Sequence, residues 1–162
     1  VAWKAAIERQ SGPSALVFSR QGLPCQTRDE TQLNNVARGA YVLRDAEDPV
    51  AIILATGSEV EIAVQAYDEL SSEGVAVRVV SMPSADVFEA QDVGYRDSVL
   101  PPSVRSRLAV EAAHPDYWRK WVGLDGDVIG LPSFGASGPG AQVFEHFGFT
   151  SGAVAAAVRE MI

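Results

Sequence analysis

Cysteine occurs once in this chain, at Cys25, which excludes an internal disulfide and a thiolate-built zinc site and fits a reducing cytoplasm. Histidine is almost as scarce: neither His114 nor His146 stands in a metal spacing such as H-E-x-x-H, so no metal ligand is assigned. Positive charge is in deficit. The 13 basic and 21 acidic residues leave a formal charge of −8, which opposes neutralisation of a phosphate backbone, so no nucleic-acid partner is expected. Long apolar runs are missing too. The run Val50–Ala55 (VAIILA) is far shorter than the ~20 residues of a membrane span, and the first residues lack the basic start and apolar block of a signal peptide. A soluble, cytoplasmic protein with no membrane partner is the expectation. G-x-G-x-x-G, G-K-[ST] and G-x-S-x-G are also absent, which removes the dinucleotide fingerprint, the P-loop and the serine nucleophile elbow; no catalytic residue is assigned.

What is present suits a globular chain. Its 162 residues, 47% of them hydrophobic, are about one domain's worth, and such a chain buries roughly 70% of its unfolded surface. Trp3, Ala6 and Ile7 recur at helical spacing before Ser11, Gly12 and Pro13 end that segment. A short strand is expected at Ala15–Phe18, then a polar stretch, Cys25–Asn35, with a helical turn near Thr31–Val36.

Beyond it the pattern turns regular. Tyr41–Leu43 and Val50–Ala55 are apolar runs joined by the acidic turn Asp45–Pro49, short enough to predict an antiparallel pair. Thr56 and Gly57 then open a helix whose Val60, Ala63, Val64, Tyr67 and Leu70 share one face. Further strands are predicted at Val75–Val80, Leu108–Ala112 and Val128–Leu131. Helical segments are predicted at Ser84–Gln91, Asp116–Val122, Gly140–Phe147 and a closing stretch facing inward with Val154, Ala157, Val158 and Met161. Apolar strands alternating with helices imply a three-layer α/β/α sandwich around a mostly parallel five-stranded sheet with one antiparallel edge strand.

Candidate sites lie in the connections. Thr56–Glu61 (TGSEVE) leads a strand into a helix, where free N–H groups suit phosphate; yet Ser58 and Glu61 form S-x-x-E, a capping box that satisfies those groups internally, and its two carboxylates repel an anion. The glycines of Phe134–Gly140 suit either a ligand loop or positive-φ turns. Tyr117, Trp118 and Trp121 beside Arg119 and Lys120 suggest base stacking, but the acidity and the spacing of Tyr117 and Trp121 favour burial against the sheet or a partner. Arg20 follows a strand at the place where open α/β sheets collect ligands, and its guanidinium fork matches phosphate. On the residues alone, a phosphate ligand and a surface ion pair are both open for Arg20.

The stretches Ser14–Pro24 (SALVFSRQGLP), Asn34–Asp45 (NNVARGAYVLRD), Ile53–Leu70 (ILATGSEVEIAVQAYDEL), Gly74–Asp92, Tyr95–Pro101, Val110–Gly126 and Phe134–Thr150 together resemble the C-terminal part of the transketolase family. The match runs in order along almost the whole chain. It implies that residues 1–26 are the tail of a pyrimidine-binding domain, 27–38 a linker and 39–162 the C-terminal domain. It also implies ketol transfer from a ketose phosphate to an aldose phosphate, with thiamine diphosphate and Mg2+ (or Ca2+) as cofactors, in a homodimer. The S-R-Q arginine of the family binds the sugar phosphate, and Arg20 holds that motif position. The G-D-G cofactor motif and the glutamate that activates the pyrimidine have no counterpart here, so no cofactor-binding residue is assigned and this piece alone is expected to bind no cofactor and to be inactive. The resemblance does not separate transketolase from dihydroxyacetone synthase, a close relative. The alternative from another class is a non-catalytic regulatory or assembly domain that takes an anionic ligand at the strand ends, with Gly57 and Ser58 at its mouth.

Overall fold

A computed structural model describes residues 1–162. In chain order the elements are α1 (Ala2–Glu8), α2 (Glu30–Asn35), β1 (Tyr41–Arg44), β2 (Ala51–Ala55), α3 (Glu59–Ser72), β3 (Val77–Ser81), α4 (Ala85–Glu89), α5 (Val93–Val99), β4 (Arg107–Val110), α6 (Arg119–Val122), β5 (Asp127–Ile129), α7 (Gly140–His146) and α8 (Ser151–Met161). Short 3-10 turns precede β1 and α6. No helix is long and apolar enough to cross a membrane.

The five strands form one sheet in the order β1-β3-β2-β4-β5. All neighbours are parallel except β1 on β3, so the mostly parallel sheet with one antiparallel edge is as the sequence implies. Every residue of β2 is buried, because side chains alternate across a sheet that is covered on both faces. Ala51, Ile53 and Ala55 meet α3 and α8 through Ala63, Leu70, Val154 and Val158. Ile52 and Leu54 meet the other layer through Phe88, Val99, Trp118 and Val122.

Several expectations need correction. β1 does not pair with β2: Tyr41 and Val42 oppose Ser81 and Val80 of β3, which lies between them. β2 has parallel ladders on both edges, and a connection of five or six residues, at about 3.3 Å each, easily spans two strand spacings of about 4.8 Å. Residues 15–18 form no strand; Val17 is 93% and Phe18 61% exposed, since an apolar run becomes a strand only beside another to share hydrogen bonds with. Helix α5 is an addition that the sequence reading lacked, started by the Asp92 side chain accepting from Tyr95 N at 2.8 Å. Gly135, Gly138 and Gly140 have no positive φ, so the turn chemistry expected of them is not what they supply. Of Tyr117, Trp118 and Trp121, Trp118 is buried and Tyr117 is 57% exposed, while Trp121 is half-buried against the core; the spacing argument holds for Trp121 and fails for Tyr117.

Helix α1 buries none of its residues, and neither core includes any residue before Val36. The stretch before β1 is fastened by polar contacts instead. Arg28 Nε donates to Tyr41 Oη at 2.6 Å. The amide of Gln32 donates to Val42 O and Leu43 O, both at 3.0 Å, which answers carbonyls on the open side of the edge strand. A capping box between Asp29 and Gln32 holds the start of α2.

Gly39 closes this approach. It has φ +89°, and a Cβ there would stand 2.3 Å from Ser84 O and 2.4 Å from Phe88 N, while Ser84 N donates to Gly39 O at 2.9 Å. Gly39→Ala is expected to lower stability by at least about 1–2 kcal/mol from the left-handed backbone alone, with the clash in addition. Thermal denaturation checks this as a midpoint lower by at least roughly 2–4 °C.

Candidate functional site

Strands β2, β3, β4 and β5 end on one edge of the sheet, and the chain leaves β2 toward one face and β4 toward the other. In open α/β sheets the crevice between two such strands receives ligands, frequently phosphates, at the start of the following helix. Here it is filled from within. Glu59, the first residue of α3, is only 4% exposed, and its Oε1 accepts from Ala112 N, just past β4, at 3.0 Å. Its Oε2 accepts from Ser58 Oγ at 2.9 Å. A carboxylate of the chain thus takes the amide that a bound anion would take.

This arrangement replaces the expected capping box. Ser58 is helical at φ −70°, ψ −26° and makes no cap hydrogen bond, whereas a serine cap needs extended backbone to aim its oxygen at the following N–H groups. Glu59 N instead donates to Thr56 O at 3.2 Å, and Gly57 turns the chain at φ +57°.

Next to Glu59 stands Glu111. Its Oε2 accepts from Trp118 Nε1 at 2.6 Å. Burial pushes the Glu111 carboxyl above the ordinary range against the opposing effect of the Trp118 hydrogen bond, and the neighbouring Glu59 raises it further. Its ionisation therefore weighs against the folded state as pH rises through that raised value. A cleft of about 520 Å3 above it includes Thr56, Ser84, Asp86, His114 and Tyr117 in its lining. Asp86, Glu111 and Glu89 all raise the Tyr117 hydroxyl, after burial as the first cause. Asp86 and Glu111 line this cleft, which disfavours an anion in it; Gly57 and Ser58, the mouth of the anion site in the alternative reading, line a different cleft.

Arg20 lies elsewhere on the same edge. The chain bends at Arg20 and Gln21, and Arg20 is exposed. Its guanidinium joins none of the ion pairs, so the surface-pair reading has no partner in this structure. Ser19 touches the β2–α3 turn: its Oγ is 3.8 Å from the place a Cβ of Gly57 would occupy. A second cleft, of about 440 Å3, runs between that turn and the segment Leu23–Gln26, with Arg28, Tyr41 and Ser81 on its walls. Arg28 is committed to Tyr41 Oη and Gln26 O. His114 and His146 do not meet, and no three of the His, Cys, Asp and Glu side chains are grouped to hold a metal ion.

Sequence reasoning missed Glu59 as a site residue. It read the acidic first turn as a Ser58–Glu61 capping box whose carboxylates repel an anion, and only the nearness of Ala112, 53 positions away, reveals the bridge.

The sheet order and its crossing connections define a doubly wound α/β domain. A family model described as the transketolase-like C-terminal domain matches residues 39–150. Transketolase 1 of Escherichia coli strain K12 is 56% identical over 163 residues, which takes in 100% of this chain and 25% of that protein. Transketolase from Leishmania mexicana superposes with a TM-score of 0.91 at 38% identity, over 99% of this chain and 23% of that one. Transketolase from Pichia stipitis, solved in complex with sedoheptulose-7-phosphate, superposes with a TM-score of 0.89 at 36% identity over the same shares. The chain belongs to the transketolase family and is a C-terminal region of it, spanning about a quarter of the length of the relatives it matches, 25% in the E. coli case.

Glu59→Ala is expected to destabilise the domain by about 1–3 kcal/mol, because Ala112 N–H and Ser58 O–H lose their acceptor. Glu59→Gln, which keeps an oxygen for Ala112 and an N–H for Ser58 Oγ, should cost clearly less. Chemical denaturation of the two variants at neutral pH checks the order.

Proposed function

We propose that this chain is the C-terminal portion of an enzyme that transfers a two-carbon ketol unit from a ketose phosphate to an aldose phosphate. In this reading residues 1–26 end the pyrimidine-binding domain, 27–38 are the linker, and 39–162 are the C-terminal domain. The complete enzyme acts as a cytoplasmic homodimer. The observation that carries the reading is Arg20: an exposed guanidinium without a carboxylate partner, one residue past Ser19, whose Oγ is 3.8 Å from where a Cβ of Gly57 would stand. It stands in a chain whose Pichia stipitis relative was solved with a sugar phosphate.

Thiamine diphosphate and a divalent cation would supply the carbanion chemistry of that reaction. The residues present here do not fit that group: no metal-holding cluster is formed, and the crevice most suited to a diphosphate is occupied by Glu59. Cofactor binding is therefore assigned to the remainder of the polypeptide, and no step is routed through this domain.

What this region does is bind and orient. A guanidinium offers paired N–H donors to a phosphate, at the end of the sugar remote from the carbon–carbon bond that changes. Such remote contacts hold the substrate in register with the reacting groups, so their loss appears in kcat/KM. Arg20→Ala in the complete enzyme is expected to lower kcat/KM for ketose phosphates by about 10- to 150-fold, the equivalent of about 1.5–3 kcal/mol for charged hydrogen bonds. Unphosphorylated ketoses should be spared. Equal losses with both donor classes would remove Arg20 from phosphate recognition.

The 162-residue chain, given thiamine diphosphate and magnesium, is expected to transfer no ketol unit. A coupled assay of the purified chain checks this, and measurable turnover would reassign the cofactor site to this region.

A further inference from the structure

Val77, Val79 and Ser81 alternate onto one face of β3. The two valines close into the core beneath α3, whereas Ser81, at the carboxyl end of the strand, ends that face with a hydroxyl. Ser81 is only 6% exposed. The hydroxyls of Ser58, Ser72, Ser98 and Ser106 each donate to an oxygen of the chain, but that of Ser81 has no such partner. It is not sealed in either, since no buried side-chain oxygen is both enclosed and unpartnered. It opens onto the cleft of about 440 Å3 between the β2–α3 turn and Leu23–Gln26, which Ser81 lines. A hydroxyl so placed works against stability unless something in the cleft bonds to it. Two further groups with free donors line the same cleft. Tyr41, opposite Ser81 in the β1–β3 register, is 2% exposed; its Oη accepts from Arg28 Nε, and its own proton has no acceptor in the chain. Arg28 donates through Nε and Nη1 and keeps Nη2 without a partner. Leu33, Val36 and Val60 give the cleft apolar walls, and the other charged side chain in its lining is Glu61, whose Oε1 accepts from Gln65 Nε2 at 3.2 Å.

From this we infer that the cleft is a binding site for a small aliphatic monocarboxylate. Its carboxylate is the acceptor that the Ser81 and Tyr41 hydroxyls and the free Arg28 nitrogen all lack, and its hydrocarbon part lies on Leu33, Val36 and Val60. A volume of about 440 Å3 is within the range of small-molecule pockets, which combine apolar walls with a few polar groups. One negative charge is what Arg28 balances; a dianionic phosphate would set its second charge against Glu61. This narrows the anionic ligand at the strand ends to one charge and one chemical class. The site draws on Ser81, Tyr41 and Arg28, so it stands or falls independently of the reading of Arg20.

The test is calorimetric titration of valerate into the complete cofactor-loaded enzyme and into its Ser81→Ala and Arg20→Ala variants. Valerate is expected to bind saturably, and valeramide, of the same shape but uncharged, at least about tenfold more weakly. Ser81→Ala should weaken valerate at least about tenfold, because a hydrogen bond to a charged group is lost, while Arg20→Ala leaves it unchanged. Inorganic phosphate should not displace it. Without ligand, Ser81→Ala should melt no lower than the parent, since it removes a hydroxyl that the fold does not use; a merely structural serine would lower the midpoint. Absence of saturable binding, equal binding by the Ser81→Ala variant, or a lower midpoint for that variant overturns the site. Loss of valerate in Arg20→Ala would place it at Arg20 instead and also overturn the site, and displacement by phosphate would overturn the monocarboxylate class.

Discussion

The bridge from Glu59 to Ala112 N decides what kind of domain this is. A helix that starts at the edge of a parallel sheet presents unanswered N–H groups and the positive end of a dipole, and something negative must meet them. In many sheets of this build that something is a ligand. Here it is a side chain 4% exposed, fixed by two hydrogen bonds, so the β2–β4 crevice is complete without a guest. The sheet acts as scaffold, and in the proposed reading recognition of the substrate anion is left to a residue outside it.

That division of labour explains the uneven burial. Two closed cores flank the sheet, and together they draw on the chain only from Val36 onward. The first part of the chain contributes apolar groups that find no place in either: Trp3 is 66% and Ile7 79% exposed, and Trp3 stacks on Phe18, at 6.3 Å between ring centres. Polar fastenings to β1 hold the approach to the domain where hydrophobic burial does not. Hydrogen bonds to edge-strand carbonyls and a tyrosine hydroxyl fix direction and distance better than non-directional apolar contact does.

Periodicity exposed the elements that are buried for periodic reasons. β2 is legible as VAIILA because both faces of the sheet are covered, and α3 is legible because one stripe packs and the other is wet. Elements made by local polar chemistry were harder. Helix α5 begins at an Asp92 cap and carries Gly94 in its first turn, with Val99 its only buried residue, so no stripe announces it. The β1–β3 pairing depends on which strand inserts between two others, and a short loop constrains direction more than adjacency. Arg20 was singled out through a motif and by resemblance. The bridge by Glu59 to Ala112 N joins residues 53 positions apart, and nothing in either local pattern points to the other.

In the proposed reading, electrostatics at two scales reconcile an acidic chain with a phosphorylated substrate. The net charge of −8 acts at long range, where salt screens exposed charges beyond about 8 Å. At contact distance one guanidinium governs, and its value depends on its resting state. An arginine already paired with a carboxylate would have to exchange one anion for another on binding, and most of the gain would cancel. Arg20 rests unpaired, while other arginines of the chain are engaged: Arg78 with Asp45 at 2.8 Å, Arg159 with Glu69 and Glu73 at 2.7 and 2.6 Å, Arg107 with four carbonyl oxygens. In the proposed reading the unpaired cation keeps its donors for a phosphate.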